Sequence, residues 1–240
     1  MTTSHGRMSW QERRMEKKFV FWSPVDPCID YFVENNSSLY DVSDKYPFVF
    51  ACSNGIDRLV KEKVGRWGLT IDTDNNMKGK GTAVFNLLKR MDFDVCIRVD
   101  ADAIVFDLPR LISWASSTRP MELLGWQVKE ARIRGGCQAC GVGIVRNIAA
   151  LGDGQNFDAA MSKNVLKMQG ALRHCKLFEM SRVYTGESPV WHPKKDDKKS
   201  LFERHIRLWR SQNGRFAPEQ AAASSLEGAI IPPSAWMHSS

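Results

Sequence analysis

The sequence predicts one α/β domain with a mostly parallel central sheet. Three observations predict it. Dense, short apolar runs alternate with helical patterns through the first half, as in strands joined by crossover helices. Polar residues fall just past the ends of those runs, at Asp26, Asn54 and Asp100/Asp102, where ligands of parallel sheets bind. The chain has 240 residues, 43% hydrophobic and 25% charged, which suits a single domain with a proper core.

The elements follow in order. Residues 19–22 are an apolar run stopped by Ser23-Pro24, a strand and its end. A helix is expected over 28–39. Residues 48–52 form a second strand, ended by the turn residues Ser53-Asn54-Gly55. A helix over 57–67 and a short strand over 69–71 come next. Val84, Leu87, Leu88 and Met91 then recur at helical spacing. A basic glycine turn, Lys78-Gly79-Lys80-Gly81, precedes that helix. Residues 95–99 are a buried-strand run leading into Asp100-Ala101-Asp102. Asp107 and Pro109 open a helix through Ala115 by N-terminal cap chemistry. Residues 123–128 and 141–145 read as strands, and Phe157, Met161, Val165, Met168 and Leu172 mark a long helix. Residues 183–184 and 190–191 are short strand candidates. Phe202, Ile206 and Trp209 lie on one stripe of a basic helix over 201–210. The end of the chain is rich in Ala, Ser and Pro.

Net charge is +7 and unevenly placed. Residues 1–18 hold five Lys/Arg against two Glu, and residues 194–215 hold eight against three acids. Two basic flanks around a nearly neutral middle suit a polyanionic partner such as nucleic acid. No stretch is long and uncharged enough to span a bilayer, and residues 1–18 lack the apolar core of a signal peptide. A cytoplasmic protein is expected. Six cysteines occur, at 28, 52, 96, 137, 140 and 175. Free thiols in a reducing compartment are the expectation. Cys137 and Cys140, with His174 and Cys175, are the alternative, a zinc site.

Two carboxylates at the end of an apolar strand are costly unless a positive partner meets them. Asp100 and Asp102 present oxygen ligands that suit Mg²⁺ or Mn²⁺, and such a cation commonly grips a diphosphate. Side chains alternate along a strand, so both acids share a face only if the strand ends there.

The segment Asn76-Met-Lys-Gly-Lys-Gly-Thr-Ala-Val-Phe-Asn86, a helix, then Arg98-Val-Asp-Ala-Asp102 resembles the nucleotide-sugar half of family-two-like glycosyltransferases of the GT-A fold. The resemblance implies a single GT-A-like, Rossmann-like domain over 18–215 with a small acceptor-side subregion. Residues 18–106 would be the nucleotide-sugar half and 107–215 the acceptor half, between a basic extension (1–17) and a tail or lid (216–240). It implies a UDP-sugar or other nucleoside-diphosphate sugar as donor, with Mn²⁺ or Mg²⁺ held by Asp100, Asp102 and His192. Pro24, Asp26, Asn54, Lys80 and Asp100 would face the nucleotide. Gly143-Ile144-Val145-Arg146 resembles the acceptor-side strand. One departure stands out: the family's acidic pair on the following helix is replaced by Ser162-Lys163-Asn164-Val165-Leu166-Lys167. A general base must take the proton of the acceptor hydroxyl in an inverting transfer. Asp158 is the first candidate, Asp153 the second, with Glu179 and Glu187 behind.

The basic segments also fit a nucleic-acid acceptor, such as a hydroxymethylated base in viral DNA, flipped from the duplex. That acceptor would place the protein in a host cytoplasm. Two other readings compete. Asp100-Ala101-Asp102 with the acidic run 152–158 also resembles haloacid-dehalogenase phosphatases, with Asp100 as nucleophile. A non-catalytic nucleic-acid-binding protein is the third.

Overall fold

The computed structural model describes residues 17–25, 29–53, 58–73, 77–129, 132–149, 151, 156–181 and 184–193. Four parallel strands make one side of the seven-stranded main sheet: β1 (Phe19–Pro24), β2 (Phe48–Ser53), β3 (Leu69–Thr73) and β4 (Val95–Val99), in the order β3-β2-β1-β4. β6 (Glu122–Lys129), β7 (Arg132–Gly141) and β8 (Ala171–His174) extend it beyond β4 as β7-β6-β8. β7 runs antiparallel to both of its neighbours, and β8 is parallel to β6. The expected α/β class with a mostly parallel sheet is what forms.

β1 and β4 are buried along their whole length, because helices cover both faces of the sheet. On one face Phe19, Phe21, Phe48, Phe50 and Ile97 pack with Phe32, Leu39 and Trp67, from α1 (Ile29–Asn35), α2 (Ser37–Tyr40) and the turn after α3 (Arg58–Gly65). On the other, Val20, Trp22, Val49 and Cys96 pack with Val84, Phe85 and Leu88 of α4 (Met77–Leu88), and with Phe157 and Met161 of α7 (Phe157–Lys167). α5 (Leu108–Ala115) starts as its cap residues predict: Asp107 accepts the amide of Arg110 at 2.9 Å, with Pro109 in the first turn. A small second sheet, β5 (Ile104–Val105), β10 (Val190–Pro193) and β9 (Phe178–Ser181), stands at the carboxyl end of β4.

The structure corrects several sequence expectations. Residues 141–145 are not a strand. β7 ends at Gly141 and α6 (Val142–Asn147) follows. An apolar run with glycines does not distinguish strand from helix by itself. The true strand is polar and glycine-rich at its start, and becomes a strand because β4 and β6 pair with it on both sides. The helix begun at Phe157 stops at Lys167; Gln169 takes a left-handed φ of 58°, and Leu172 lies in β8. Tyr184 is in no strand, and Phe178–Ser181 is the strand instead. Residues 78–81 are not a turn before a helix but its first turn. Gly81 is needed there for contact: a Cβ would come within 2.3 Å of Phe157 Cε2. The zinc alternative fails, since Cys137 and Cys140 sit three apart on one strand and point into opposite cores. The cysteines at 52, 96, 137, 140 and 175 are free thiols, and burial pushes each of them up from the ordinary value. Asp26, Cys28, Asn54, Asp153, the basic helix over 201–210, the extension before residue 17 and the tail lie outside the described residues.

Candidate metal and donor site

β4 ends at Val99, and the chain turns at once: Ala103 N–H donates to Asp100 O at 3.0 Å. That turn removes the strand alternation that would have sent Asp100 and Asp102 to opposite faces. The chain then enters β5, which pairs antiparallel with β10, Ile104 opposite Trp191 and Val105 opposite Val190. Continuing the register by one step brings His192 beside the turn that carries Asp102. Asp102 Oδ1 lies 3.0 Å from His192 Nε2, and Asp100 Oδ2 lies 3.8 Å from the same nitrogen. One ligand atom from each of these residues falls within 4.8 Å of the others. Among the described residues this is the one such group of three.

The second nitrogen of His192 decides how the ring faces the acids. Nδ1 lies 3.0 Å from Pro193 O. A carbonyl can only accept, so Nδ1 is the donor there and Nε2 is the nitrogen turned toward the acids. Between Nε2 and the carboxylate oxygens it faces, a proton or a cation makes the bridge. Two carboxylates and an imidazole fixed through its other nitrogen are a donor set that fits Mn²⁺ or Mg²⁺.

Two residues that the sequence reading did not single out build this geometry. Arg98 is buried within β4 and forms ion pairs on both sides. Its Nε and Nη2 reach Asp100 Oδ1 at 2.7 and 2.6 Å, and its Nη1 reaches Asp158 Oδ1 at 2.9 Å. The guanidinium lies over the ring of Phe157 at 4.5 Å and that of Trp22 at 5.7 Å. Burial alone would lower its proton affinity, but the charges of Asp100 and Asp158 hold it above the ordinary arginine value. Asn36, fully buried between α1 and α2, donates to Ala103 O at 3.0 Å and to Phe32 O at 2.9 Å. Its side-chain oxygen accepts the amide of Val105 at 2.7 Å. It clamps the backbone on the far side of Asp102. An arginine inside the run Val-Cys-Ile-Arg-Val was a readable signal, because an arginine at a core position is rare unless paired. Asn36 gave no signal, since asparagine near a helix end is commonplace.

The other expected site residues are placed as follows. Pro24 closes β1, buried. Lys80, from the first turn of α4, is 4% exposed and donates to Val25 O at 2.7 Å, so it reaches the chain just past β1. Asp158 sits in the first turn of α7; besides Arg98 it accepts from Gly135 N at 2.7 Å and Gln138 Nε2 at 3.3 Å. Glu179 is buried and caps its own loop, accepting from Thr185 and Ser181. Glu187 is exposed and paired with Lys176. Asp100, Asp102, His192 and, through Arg98, Asp158 are thus brought together, while Glu179 and Glu187 are occupied elsewhere. The phosphatase reading needs a free nucleophilic Asp100, yet Oδ1 takes two Arg98 N–H donors and Oδ2 takes the Gly136 amide at 3.0 Å.

No family model matches the chain, and no curated protein matches it. Solved structures do. A mannosyltransferase from Pyrobaculum calidifontis, in complex with GDP-mannose and Mn²⁺, superposes with a TM-score of 0.53 at 14% identity, covering 86% of this chain and 67% of that one. The galactosyltransferase LgtC, in complex with donor and acceptor sugar analogues, superposes with a TM-score of 0.52 at 13% identity, covering 92% of this chain and 99% of that one. The likeness is one of fold. The chain has the GT-A-type, Rossmann-like α/β fold of these glycosyltransferases, and its Asp100, Asp102 and His192 form a group able to hold a metal ion.

Proposed function

We propose that this chain is a metal-dependent glycosyltransferase that moves a sugar from a nucleoside diphosphate to an acceptor hydroxyl. The observation that carries the reading is the meeting of Asp100, Asp102 and His192 at the carboxyl end of β4, in a fold shared with sugar transferases. That end of a parallel strand is where such sheets place their ligands. A bound Mn²⁺ or Mg²⁺ would neutralise charge building on the diphosphate as the sugar leaves. Asp102 and His192 supply direct ligands, and Asp100 assists through Oδ2. On the nucleotide side Pro24 and Lys80 shape the end of β1, with Asp26 and Asn54 proposed to contact base and ribose. UDP-sugars are the first donors to test, ahead of GDP-, CMP- and dTDP-sugars.

The base divides the two carboxylates. Asp158 has its oxygens committed to Arg98, Gly135 and Gln138, which suits anchoring better than accepting a proton from an acceptor. We therefore assign the base to Asp153 and keep Asp158 as the rival that a pH–rate profile decides. An inverting hexosyl transfer is the reaction class proposed. For the acceptor, a hydroxymethylated DNA base is proposed on the charge of residues 194–215. In that case the protein acts in a host cytoplasm. Among the described residues no helix is long and apolar enough to cross a membrane.

The test is a melting series with each nucleotide sugar, with and without Mn²⁺, followed by transfer assays on hydroxymethylated duplex DNA and on glycans. One donor class should raise the melting temperature only when Mn²⁺ is present, and Asp102→Ala should erase that rise. A rise that survives in Asp102→Ala, or none with any donor, defeats the reading. Transfer to glycans with none to DNA would remove the DNA acceptor alone.

A further inference from the structure

We propose that Arg98 determines which divalent cation the site accepts, by committing one oxygen of Asp100. The inference rests on the metal-dependent reading above and deepens it. Asp100 Oδ1 receives two N–H donors from Arg98, at 2.7 and 2.6 Å, while Oδ2 receives the Gly136 amide at 3.0 Å and faces His192 Nε2 at 3.8 Å. Oδ2 alone is turned toward the other ligands. The guanidinium cannot swing aside. Phe157 and Trp22 flank it, Asp158 holds its third nitrogen at 2.9 Å, and Asp158 is itself fixed by the Gly135 amide at 2.7 Å.

A carboxylate that offers a single oxygen suits a small, near-octahedral ion such as Mg²⁺ or Mn²⁺. It disfavours Ca²⁺, which gathers more oxygens and often takes carboxylates bidentately. With the base assigned to Asp153, Asp158 is a positioning residue whose ion pair to this site runs through Arg98. The rival role for Arg98 is plain charge neutralisation. The two roles separate cleanly: Mn²⁺ and Ca²⁺ carry the same charge, so a lost positive charge changes both affinities alike and leaves their ratio untouched.

The experiment measures Mn²⁺ binding to the full chain from the electron paramagnetic resonance of free Mn²⁺, and Ca²⁺ binding by competition. Both are run without nucleotide and again with UDP, each against a protein-free blank that accounts for Mn²⁺ held by the diphosphate itself. The wild type should prefer Mn²⁺. Arg98→Met should lower that preference about tenfold, the scale of outer-shell effects on metal sites. Arg98→Lys keeps the charge but loses the planar fork, and should lower it nearly as far. Asp158→Asn should act in the same direction with smaller effect, and should add nothing in the Arg98→Met background. Equal changes in both affinities, or full rescue by lysine, overturn the proposal. If Arg98→Met does not fold, Asp158→Asn decides, and an unchanged ratio there overturns it. A wild type that binds no Mn²⁺ under either condition sinks the metal-dependent reading and this inference with it. A wild type that binds Mn²⁺, with variants of unchanged ratio, sinks this inference alone.

Discussion

Replacing Asn36 by alanine should loosen the metal loop from behind, without touching a ligand. Asn36 makes three hydrogen bonds: to Phe32 O, to Ala103 O and from the amide of Val105. Phe32 O keeps a partner in the variant, because the backbone amide of Asn36 also donates to it at 3.0 Å. The Val105 amide and the Ala103 carbonyl lose theirs, and both residues are fully buried. Each stranded group costs about 1–3 kcal/mol, so the pair costs about 2–6 kcal/mol. For a domain of this size that lowers the melting temperature by roughly 10 °C. Urea denaturation measures the loss, and Mn²⁺ titration of the folded variant measures the site. Since Ala103 adjoins Asp102, Mn²⁺ affinity should fall about tenfold. Asn36→Asp should be worse, because it keeps the acceptor for Val105 but faces the Ala103 carbonyl with a buried charge. A loss below about 1 kcal/mol in Asn36→Ala, with unaltered Mn²⁺ affinity, would show that the clamp contributes neither stability nor geometry.

Three further outcomes are expected. Asp102→Ala should abolish metal-dependent donor binding with little loss of stability, and His192→Ala should weaken it about 10- to 100-fold; both are read by calorimetry with Mn²⁺. Gly81→Ala should lower the melting temperature, because helix propensity returns only about 1 kcal/mol. The new methyl would come within 2.3 Å of Phe157 and 3.1 Å of Leu151, and such overpacking costs about 1–3 kcal/mol. Glu122 gives a pH signature. Burial pushes its carboxyl up, but hydrogen bonds from Arg173 and the Arg119 amide, with their charges, bring it below the ordinary value of 4.5. The unfolded state therefore binds its proton first on acidification, so this stabilisation is complete above 4.5 and fades as pH falls through the lowered folded value. Glu122→Gln should lower stability near neutrality and flatten the curve in that acid window, so that variant and wild type converge at low pH. An unchanged acid limb would refute the assignment.

Much of the parallel half was legible because its signals are local. The runs 19–22, 48–52 and 95–99 are too apolar to lie anywhere but inside a sheet covered on both faces, and the Asp107-Pro109 start announces α5 through contacts within one helical turn. The acceptor half was less legible. β7 begins Arg-Ile-Arg-Gly-Gly and is a strand only because neighbours on both sides supply its hydrogen bonds. α7 ends at Lys167 in a local cap, with Gln169 at φ 58° donating to Leu166 O at 3.0 Å and Gly170 to Val165 O at 2.9 Å; the left-handed position carries a glutamine, so the usual glycine signal falls one residue late.

The amino-acid sequence by itself determined that two carboxylates would stand at the end of a buried strand and would need positive partners there. Burying charge demands a partner wherever the strand lies, so this much follows from one segment alone. The tertiary structure decided the rest. His192 joins the acids through the antiparallel register of β5 with β10, Arg98 reaches across 60 positions to Asp158, and Asn36 reaches across 67 to Ala103. Each of these contacts depends on where distant segments come to rest. Residue chemistry states what a side chain needs, and only packing states which partner is within a bond's length of it.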